Sequence, residues 1–450
     1  MLQKPMFNRE ILEQLDHWKK KENRKPLILR GARQVGKTTL VNLFSSKFRQ
    51  YIYLNLDLPE ERKVFENAQS FDDLLDAIFF TKNARRQEKD TLIFIDEIQN
   101  SSAAIKYLRY FFEMQKELPV IAAGSLLETL IDKEISFPVG RVEYLAVRPF
   151  SFREFLTAGD HKNELEALNT IPFPDYAHDK LLALFRKYAL VGGMPEIVKL
   201  YFENNDLVEI RNSINNLIIG YKDDIEKYAR KESANKVIRH IIENAWSYAA
   251  ERITFNNFAG SNYRSREVSE SFKVLEKTML LRLVYPTTTM KIPLIVNRKM
   301  SPKLHLLDTG LVNFKSGIEK EFFSEVELAD VYRGKIAEHI VGQELLSKNQ
   351  SPEANLTFWT REKRQSSAEL DYLINYKGKV IPVEVKSGAS GKMRSLNIFM
   401  NLSDISLAVR FYSGRLSISK EKTIEGKNFT LINLPFYLCS KLEDYLEYAG

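Results

Sequence analysis

One cysteine, Cys439, stands in 450 residues. No disulfide can therefore form within the chain, which excludes a cysteine-stapled secreted scaffold and suits a reducing compartment. No uncharged apolar run approaches the roughly 18 residues that a bilayer-spanning helix needs. The first residues mix Lys4, Arg9 and Glu10 with apolar ones and contain no signal-peptide core. Internal repeats and low-complexity tracts are also missing, which argues against solenoids and disordered arrays. The excess of one charge sign is small too: 66 Lys and Arg stand against 59 Asp and Glu, a net +7. That balance is compatible with a nucleic-acid partner without demanding one. The expectation is a soluble cytoplasmic protein with no membrane partner. An apolar fraction of 44% can supply sizeable cores, and the length suggests about three domains.

What is present is organised around Gly31-Ala32-Arg33-Gln34-Val35-Gly36-Lys37-Thr38, followed by Thr39. It reads G-x-x-x-x-G-K-T, a phosphate-binding loop. Gly31 and Gly36 let the backbone turn and approach phosphate oxygens. Successive N–H groups at a helix start form an anion-binding nest. Lys37 would reach the β- and γ-phosphates, and the Thr38 hydroxyl would bind Mg²⁺. The motif counts only between a strand and a helix. Leu27-Ile28-Leu29 supplies the strand, and Leu40, Leu43 and Phe44 recur at helical spacing after it.

The first domain is assigned to residues 1–150. A helix over 8–20 leads in, and 51–57 reads as a second strand. Thr91-Leu92-Ile93-Phe94-Ile95-Asp96-Glu97 is an apolar run ending in two acids, a Walker-B pattern. Asp96 would hold the Mg²⁺ shell, and Glu97 would polarise the attacking water as general base. After a helix over 102–117, the run 119–125 is another buried strand. It ends at Ser125, a candidate γ-phosphate sensor or helix N-cap. A fifth strand is placed at 142–147. Arg141, just before it, is either a surface arginine or a group that stabilises the γ-phosphate, from the same chain or a neighbour. Alternating strands and helices predict an α/β fold, a parallel sheet sandwiched by helices with nucleotide at the carboxyl ends of the strands.

Residues 151–325 turn helical. Phe152, Phe155 and Leu156 start one amphipathic helix, and 181–190 forms another. Val191-Gly192-Gly193-Met194-Pro195 then stops one helix and starts the next. This region is expected to be a helical lid followed by a winged helix. The winged helix would comprise helices at 235–250, 255–259 and 265–277 and hairpin strands at 280–285 and 302–307. Lys291, Arg298, Lys299 and Lys303 form its basic wing. Arg264, Arg266 and Lys273 lie on the open side of the third helix, but Glu267, Glu270 and Glu276 share it. The module suits DNA or protein docking.

Residues 326–450 form the third domain. A helix over 331–347 carries Glu338. Glu369-Leu370-Asp371 and Val383-Glu384-Val385-Lys386 flank a turn at 375–378, so a hairpin would bring Asp371 near Glu384. Glu384 and Lys386 are two apart and share a strand face. Two acids and a lysine can hold Mg²⁺ and activate water for phosphodiester attack, with Glu338 completing the carboxylate set. The D-x12-E-x-K pattern is that of restriction-endonuclease-like nucleases. Glu369 shares the face of Asp371, leaving open which acid binds metal, and Pro382 conflicts with a central strand position.

Gly31–Thr38, Leu92–Glu97, Val191–Pro195, Ser301-Pro302-Lys303 with Asp308-Thr309-Gly310-Leu311, and Asp371 with Glu384–Lys386 together resemble one family. It is the bacterial and archaeal AAA-type ATPases that carry a C-terminal domain of unknown function. The resemblance covers nearly the whole chain. It implies an ATPase core, a winged-helix-like middle and a restriction-endonuclease-like end, with ATP and Mg²⁺ as ligands. Ser366-Ser367-Ala368 departs from the glycine-containing turn expected before Asp371. The leading expectation is an ATP-hydrolysing protein acting on DNA, with a homo-oligomer as a further possibility. The alternative is a nucleotide-gated switch whose nuclease-like fold only docks a partner. A metabolite kinase fits less well, because Asp96-Glu97 suits water activation and no acceptor pocket is legible.

Overall fold

The computed structural model describes residues 9–124, 138, 140–224, 232–317, 330–361, 368–388 and 393–449. The chain divides into two compact units. The first runs to Arg148 and includes Lys277–Met279 and Gln350–Glu353; the second holds the rest.

The first unit is built on five parallel strands: β1 (Leu27–Arg30), β2 (Gln50–Asn55), β3 (Thr91–Asp96), β4 (Val120–Ala123) and β5 (Glu143–Ala146). Their order is β2-β3-β4-β1-β5. The unbroken apolar reading of β3 has its physical cause here, since all six of its residues are buried. A strand covered on both faces needs no polar alternation. Helices α1 (Ile11–Lys19), α2 (Lys37–Ser45), α3 (Pro59–Asn67), α4 (Phe71–Thr81) and α5 (Ser102–Met114) accompany the sheet. The apolar faces of α4 and α5 share a core with the strands, including Leu74, Ile78, Ile105, Leu108, Ile52 and Ile95. Ser70 and Ser101 cap these two helices by accepting from Asp73 N and Ala104 N.

Register decides where the chemistry lies. Ile95 pairs with Ala122, and Leu29 pairs with Ala123. The carboxyl ends of β3 and β1 are therefore level, one strand apart, and Asp96 shares an edge with the loop that leaves Arg30.

In the second unit, α6 (Phe152–Ala158), α7 (Lys162–Asn169) and α8 (His178–Val191) come first. Phe152, Phe155 and Leu156 are fully buried, as their spacing predicts. Gly192 ends α8 with φ 80° and ψ −169°, and Pro195 opens α9 (Pro195–Glu203). Then come α10 (Leu207–Asp223), α11 (Glu232–Asn244) and α12 (Ser265–Lys277). Strand β6 (Leu281–Val284) pairs antiparallel with β8 (Lys303–Leu306), and β7 (Pro286–Thr287) lies between them in sequence. α13 (Thr309–Lys315) and α14 (Asp330–Ser347) follow.

The Gly-Gly and Asp-Thr-Gly stretches prove to be one interlock. Asp308 accepts from Gly193 N at 2.6 Å and caps α13 by accepting from Leu311 N at 3.2 Å. A Cβ on Gly192 would overlap this carboxylate, sitting 2.7 Å from its Cγ. Gly310 is pressed against the Val191 carbonyl in the same way. From α14, Gln343 accepts from Thr309 N at 2.9 Å, and Glu344 accepts from Phe152 N at 2.9 Å and from the Tyr188 hydroxyl at 2.8 Å. His339 accepts from Leu306 N at 3.1 Å through Nε2. Its Nδ1–H is thereby directed at the Thr309 hydroxyl, 3.1 Å away. Buried polar groups that are all satisfied hold one arrangement in place.

Strands β9 (Phe358–Thr360), β10 (Glu369–Leu370), β11 (Tyr372–Tyr376), β12 (Lys379–Val385), β13 (Leu407–Tyr412), β14 (Ser417–Lys422) and β15 (Asn428–Pro435) complete the fold with α15 (Arg394–Leu402) and α16 (Leu442–Ala449). The sheet order is β11-β12-β13-β15-β14, and β10-β9-β7 forms a separate small sheet. Lys377 and Gly378, both with positive φ, turn β11 into β12. Pro382 is accommodated because the parallel pairing of β12 with β13 begins only at Val383.

Candidate functional site

The phosphate loop joins β1 to α2 as the motif requires. Gly36 precedes the helix with φ 90° and offers no capping side chain. The first N–H groups of α2 are thus left for an anion. Gln34 also adopts a positive φ of 63°. Gly31 is fixed by space, because a Cβ there would run into the Val147 carbonyl and lie 3.0 Å from a Val35 methyl. Ala32 and Val35 are buried, while Arg33, Gln34 and Thr39 are exposed. Arg9, ahead of α1, donates to the Val35 carbonyl at 3.2 Å and to the Arg148 carbonyl at 2.7 Å. It ties the loop to the chain beyond β5, and sequence reasoning did not single it out.

Lys37 is buried and donates to the Gly31 and Ala32 carbonyls, both at 2.9 Å. Burial lowers its pKa to about 8 against the opposing pull of Glu97 and Asp96. The Thr38 hydroxyl donates to Asp96 Oδ2 at 2.7 Å, so the two predicted Mg²⁺ ligands touch. The Tyr53 hydroxyl donates to the same oxygen at 3.3 Å, and Glu97 N donates to Asp96 Oδ1 at 3.1 Å. Glu97 turns out of the strand with φ 51° and ψ 41°, and Gln99 Nε2 donates to its carboxylate. Burial raises the Glu97 pKa above the usual carboxylate range. The hydroxyl and carboxylate side by side are the donor set a hard cation takes, so these residues fit Mg²⁺.

Two further expectations fare differently. Ser125 lies outside the described residues. Arg141 stands before β5, whose Glu143 pairs with Leu27 at the start of β1. That is the amino-terminal edge of the sheet, roughly 13 Å of strand from the phosphate loop. Its guanidinium meets Glu113 at 3.2 Å. As a γ-phosphate group within the same chain, Arg141 is therefore misplaced; the sequence showed its nearness to a strand but not at which end.

The C-terminal acids gather around an unforeseen lysine. Lys303, read from sequence as part of a basic wing, is only 6% exposed. Its ammonium lies 2.5 Å from Glu338, 2.7 Å from Glu369 and 3.8 Å from Asp371. Burial opposes its charge, but the three carboxylates outweigh that and hold its pKa above the ordinary lysine value. The remaining wing residues Lys291, Arg298 and Lys299 are exposed, as are Arg266 and Lys273 on α12 and Arg264 just before it. The Ser-Pro-Lys stretch was a visible signal, yet nothing local in it reveals that Lys303 turns inward.

Asp371 sits between β10 and β11 and accepts from Val385 N at 2.7 Å, which places it beside Glu384. Lys386 reaches Glu384 Oε1 at 2.5 Å, as their shared strand face requires. The other oxygen, Glu384 Oε2, is buried without a hydrogen-bond partner among the described residues. Burial, with the Asp371 charge, pushes the Glu384 pKa to about 7; burial also pushes Glu338 to about 8, against the pull of Lys303. Among the described residues no group of three or more His, Cys, Asp or Glu side chains is placed to hold a metal ion. Glu338, Asp371 and Glu384 are thus neighbours but not a three-carboxylate metal set. The orphaned oxygen of Glu384 beside Asp371 fits one hard cation there.

Among the described residues, no helix is long and apolar enough to cross a membrane. Comparison with known proteins adds three family matches. Residues 182–321 match a domain of unknown function (DUF8612), and residues 333–437 match another (DUF4143). A search of the curated proteins finds no match. Among solved structures, the chain is similar to the Walker-type ATPase PABY2304 of Pyrococcus abyssi, at 16% identity and TM-score 0.42, over 70% of this chain and 99% of that one. It is also similar to the Aeropyrum pernix Orc1 protein in complex with DNA, at 13% identity and TM-score 0.31, over 71% and 95%. The Thermotoga maritima RuvB Holliday junction branch migration motor matches at 17% identity and TM-score 0.28, over 65% and 93%. The third family match, over residues 23–156, is to an AAA domain. That stretch is the one that carries the loop, the acidic strand and the parallel sheet, and it is similar to AAA domains.

Proposed function

We propose that the protein hydrolyses ATP at the Lys37–Thr38–Asp96–Glu97 site and acts on DNA, which its C-terminal region binds or cuts. The observation that carries the reading is the 2.7 Å bond from Thr38 to Asp96, beside a buried Lys37 and one residue from Glu97. On nucleotide binding, Lys37 exchanges the Gly31 and Ala32 carbonyls for β- and γ-phosphate oxygens. The N–H groups at the start of α2 receive the same phosphates. Thr38 and Asp96 would hold Mg²⁺, which would supply positive charge to the phosphate oxygens. Glu97 orients the attacking water and takes its proton, and the burial that raises its pKa makes it a stronger base than a solvated carboxylate. Ser125 stays a candidate for γ-phosphate sensing. Arg141 could serve only a neighbouring copy in a homo-oligomer.

The division into an ATPase domain (1–150), a helical lid with winged helix (151–325) and a restriction-endonuclease-like domain (326–450) belongs to the same proposal. Asp371, Glu384 and Lys386 are its cleaving group, and the exposed Arg264, Arg266, Lys273, Lys291, Arg298 and Lys299 offer contacts to phosphates. The test is cleavage of plasmid and single-stranded DNA with Mg²⁺ or Mn²⁺, with and without ATP. Cutting that disappears in Asp371→Ala supports a nuclease, and its loss in Lys37→Ala shows that ATP gates it. A second reading draws on Lys303, which engages carboxylates a metal would need: a nucleotide-gated switch whose nuclease-like region only docks its partner. No cutting under any condition, with intact ATP turnover, selects that reading.

A further inference from the structure

Four carboxylates, Glu338, Glu369, Asp371 and Glu384, meet around three described cations. Lys303 contacts the first three, Arg252 pairs with Glu369 at 2.8 Å, and Lys386 pairs with Glu384. The sum is one negative charge in excess when all are ionised. Position as well as charge is uneven. Glu338 and Glu369 lie within 2.7 Å of an ammonium, and one Asp371 oxygen is taken by Val385 N. Glu384 Oε2 alone is buried with no partner among the described residues, on a side chain 5% exposed. Such an atom costs free energy unless a cation or donor meets it.

Lys303 is itself held against drift. Strand β8 pairs with β6, and Lys303 also bridges to Arg252. Its ammonium and the Arg252 guanidinium both stand over the Phe358 ring, each 4.9 Å from the centroid. The Tyr372 hydroxyl donates to the Glu338 carbonyl at 2.8 Å and steadies the helix that presents Glu338. A long, flexible side chain in so defined a seat acts as a fixed internal cation.

We propose that Lys303 is a positioning residue, a built-in counter-cation that reserves Glu338 and Glu369 and leaves a single divalent-cation position between Asp371 and Glu384. The proposal rests on the reading of this region as metal-using, and narrows it: Glu338 pairs with the lysine and is not a metal ligand. Lys303 lies in the stretch 182–321, outside the 333–437 stretch that holds the acids. The site is then completed by a residue from the neighbouring sequence region, and a fragment lacking residues before 326 would lack it.

The experiment is Mn²⁺ binding to the full chain, followed by electron paramagnetic resonance without nucleotide. An Asp96→Asn background silences the phosphate-loop site. The expected result is one Mn²⁺ per chain, lost in Glu384→Gln and retained in Glu338→Gln. Lys303→Met is expected to tighten Mn²⁺ binding roughly tenfold or add a second ion, as freed carboxylates recruit a replacement cation, and adding Glu338→Gln should reverse that gain. Should Lys303→Met fold poorly by circular dichroism, the Lys303→Met/Glu338→Gln pair, which removes one charge of each sign, carries the comparison. Loss of Mn²⁺ in Glu338→Gln alone overturns the proposal, as does Lys303→Met binding Mn²⁺ like its parent. If the parent binds none but Lys303→Met does, Lys303 fills the site outright, and both the proposed divalent-cation position and the nuclease reading fall. If no variant binds Mn²⁺, both fall.

Discussion

Gly192→Ala is expected to destabilise the second unit by several kcal/mol, although it adds one methyl group. Gly192 holds φ 80° and ψ −169°, a region open essentially to glycine alone, and placing another residue there costs about 1–3 kcal/mol. The new Cβ would also lie 2.7 Å from Asp308 Cγ. Asp308 cannot swing away without giving up its bonds from Gly193 N and Leu311 N. Overpacking against a fixed neighbour adds about 1–3 kcal/mol, for a total of about 2–6 kcal/mol. Urea unfolding followed by tryptophan fluorescence reads this. The chain has three tryptophans; Trp246 and Trp359 are buried in the second unit, so a Trp18→Phe background silences the first. Gly220→Ala is the control, since nothing lies within 4 Å of a Cβ added inside that helix, and alanine there should stabilise by up to about 1 kcal/mol. If Gly192→Ala costs under about 1 kcal/mol, or behaves like Gly220→Ala, the interlock does not hold the unit together as described.

Other consequences are electrostatic. Because burial puts Lys37 at about 8 before phosphate arrives, ATP affinity should fall by up to about tenfold per pH unit above pH 8; a Lys37→Arg variant, measured by the same calorimetric titration, should lose that dependence, and a flat wild-type profile to pH 9.5 would refute it. Burial depresses His339 to about 4, so its neutral form contributes stability that is present above the unfolded value of 6.5 and lost as the pH falls towards 4. The stability difference between wild type and His339→Gln should therefore shrink by about 3 kcal/mol over that interval. Burial moves Asp308 the other way, to about 6. Relative to Asp308→Asn, wild type should lose stability as the pH rises from 3.8 to 6, and urea midpoints across that range showing the reverse slope would contradict the assignment.

The parts legible in sequence were those whose signal is local. A strand buried on both faces reads as an apolar run, which placed β1, β3 and β4 within a few residues. The phosphate loop announces its own backbone through Gly31 and Gly36, and the Gly-Gly-Met-Pro stop and start lies where α8 gives way to α9. The spacing of Glu384 and Lys386 likewise fixed their contact, because strand periodicity is two. What escaped depends on distant pairing. Which end of β5 carries Arg141 follows from its parallel register with β1. The inward turn of Lys303 follows from acids on α14 and near β10, at least 35 residues away. Asp308 stood in the sequence only as part of the Asp-Thr-Gly-Leu stretch, and only the fold shows it gripping Gly193, 115 residues earlier.

The most direct test of the central claim is steady-state ATP hydrolysis by the full chain with Mg²⁺, comparing wild type with Lys37→Ala and Glu97→Gln, alongside binding of a fluorescent ATP analogue. The account predicts turnover in wild type and none above background in either variant. Glu97→Gln should still bind nucleotide, since it lacks only the base, whereas Lys37→Ala should bind it weakly. Unchanged turnover in Lys37→Ala would contradict the site assignment outright.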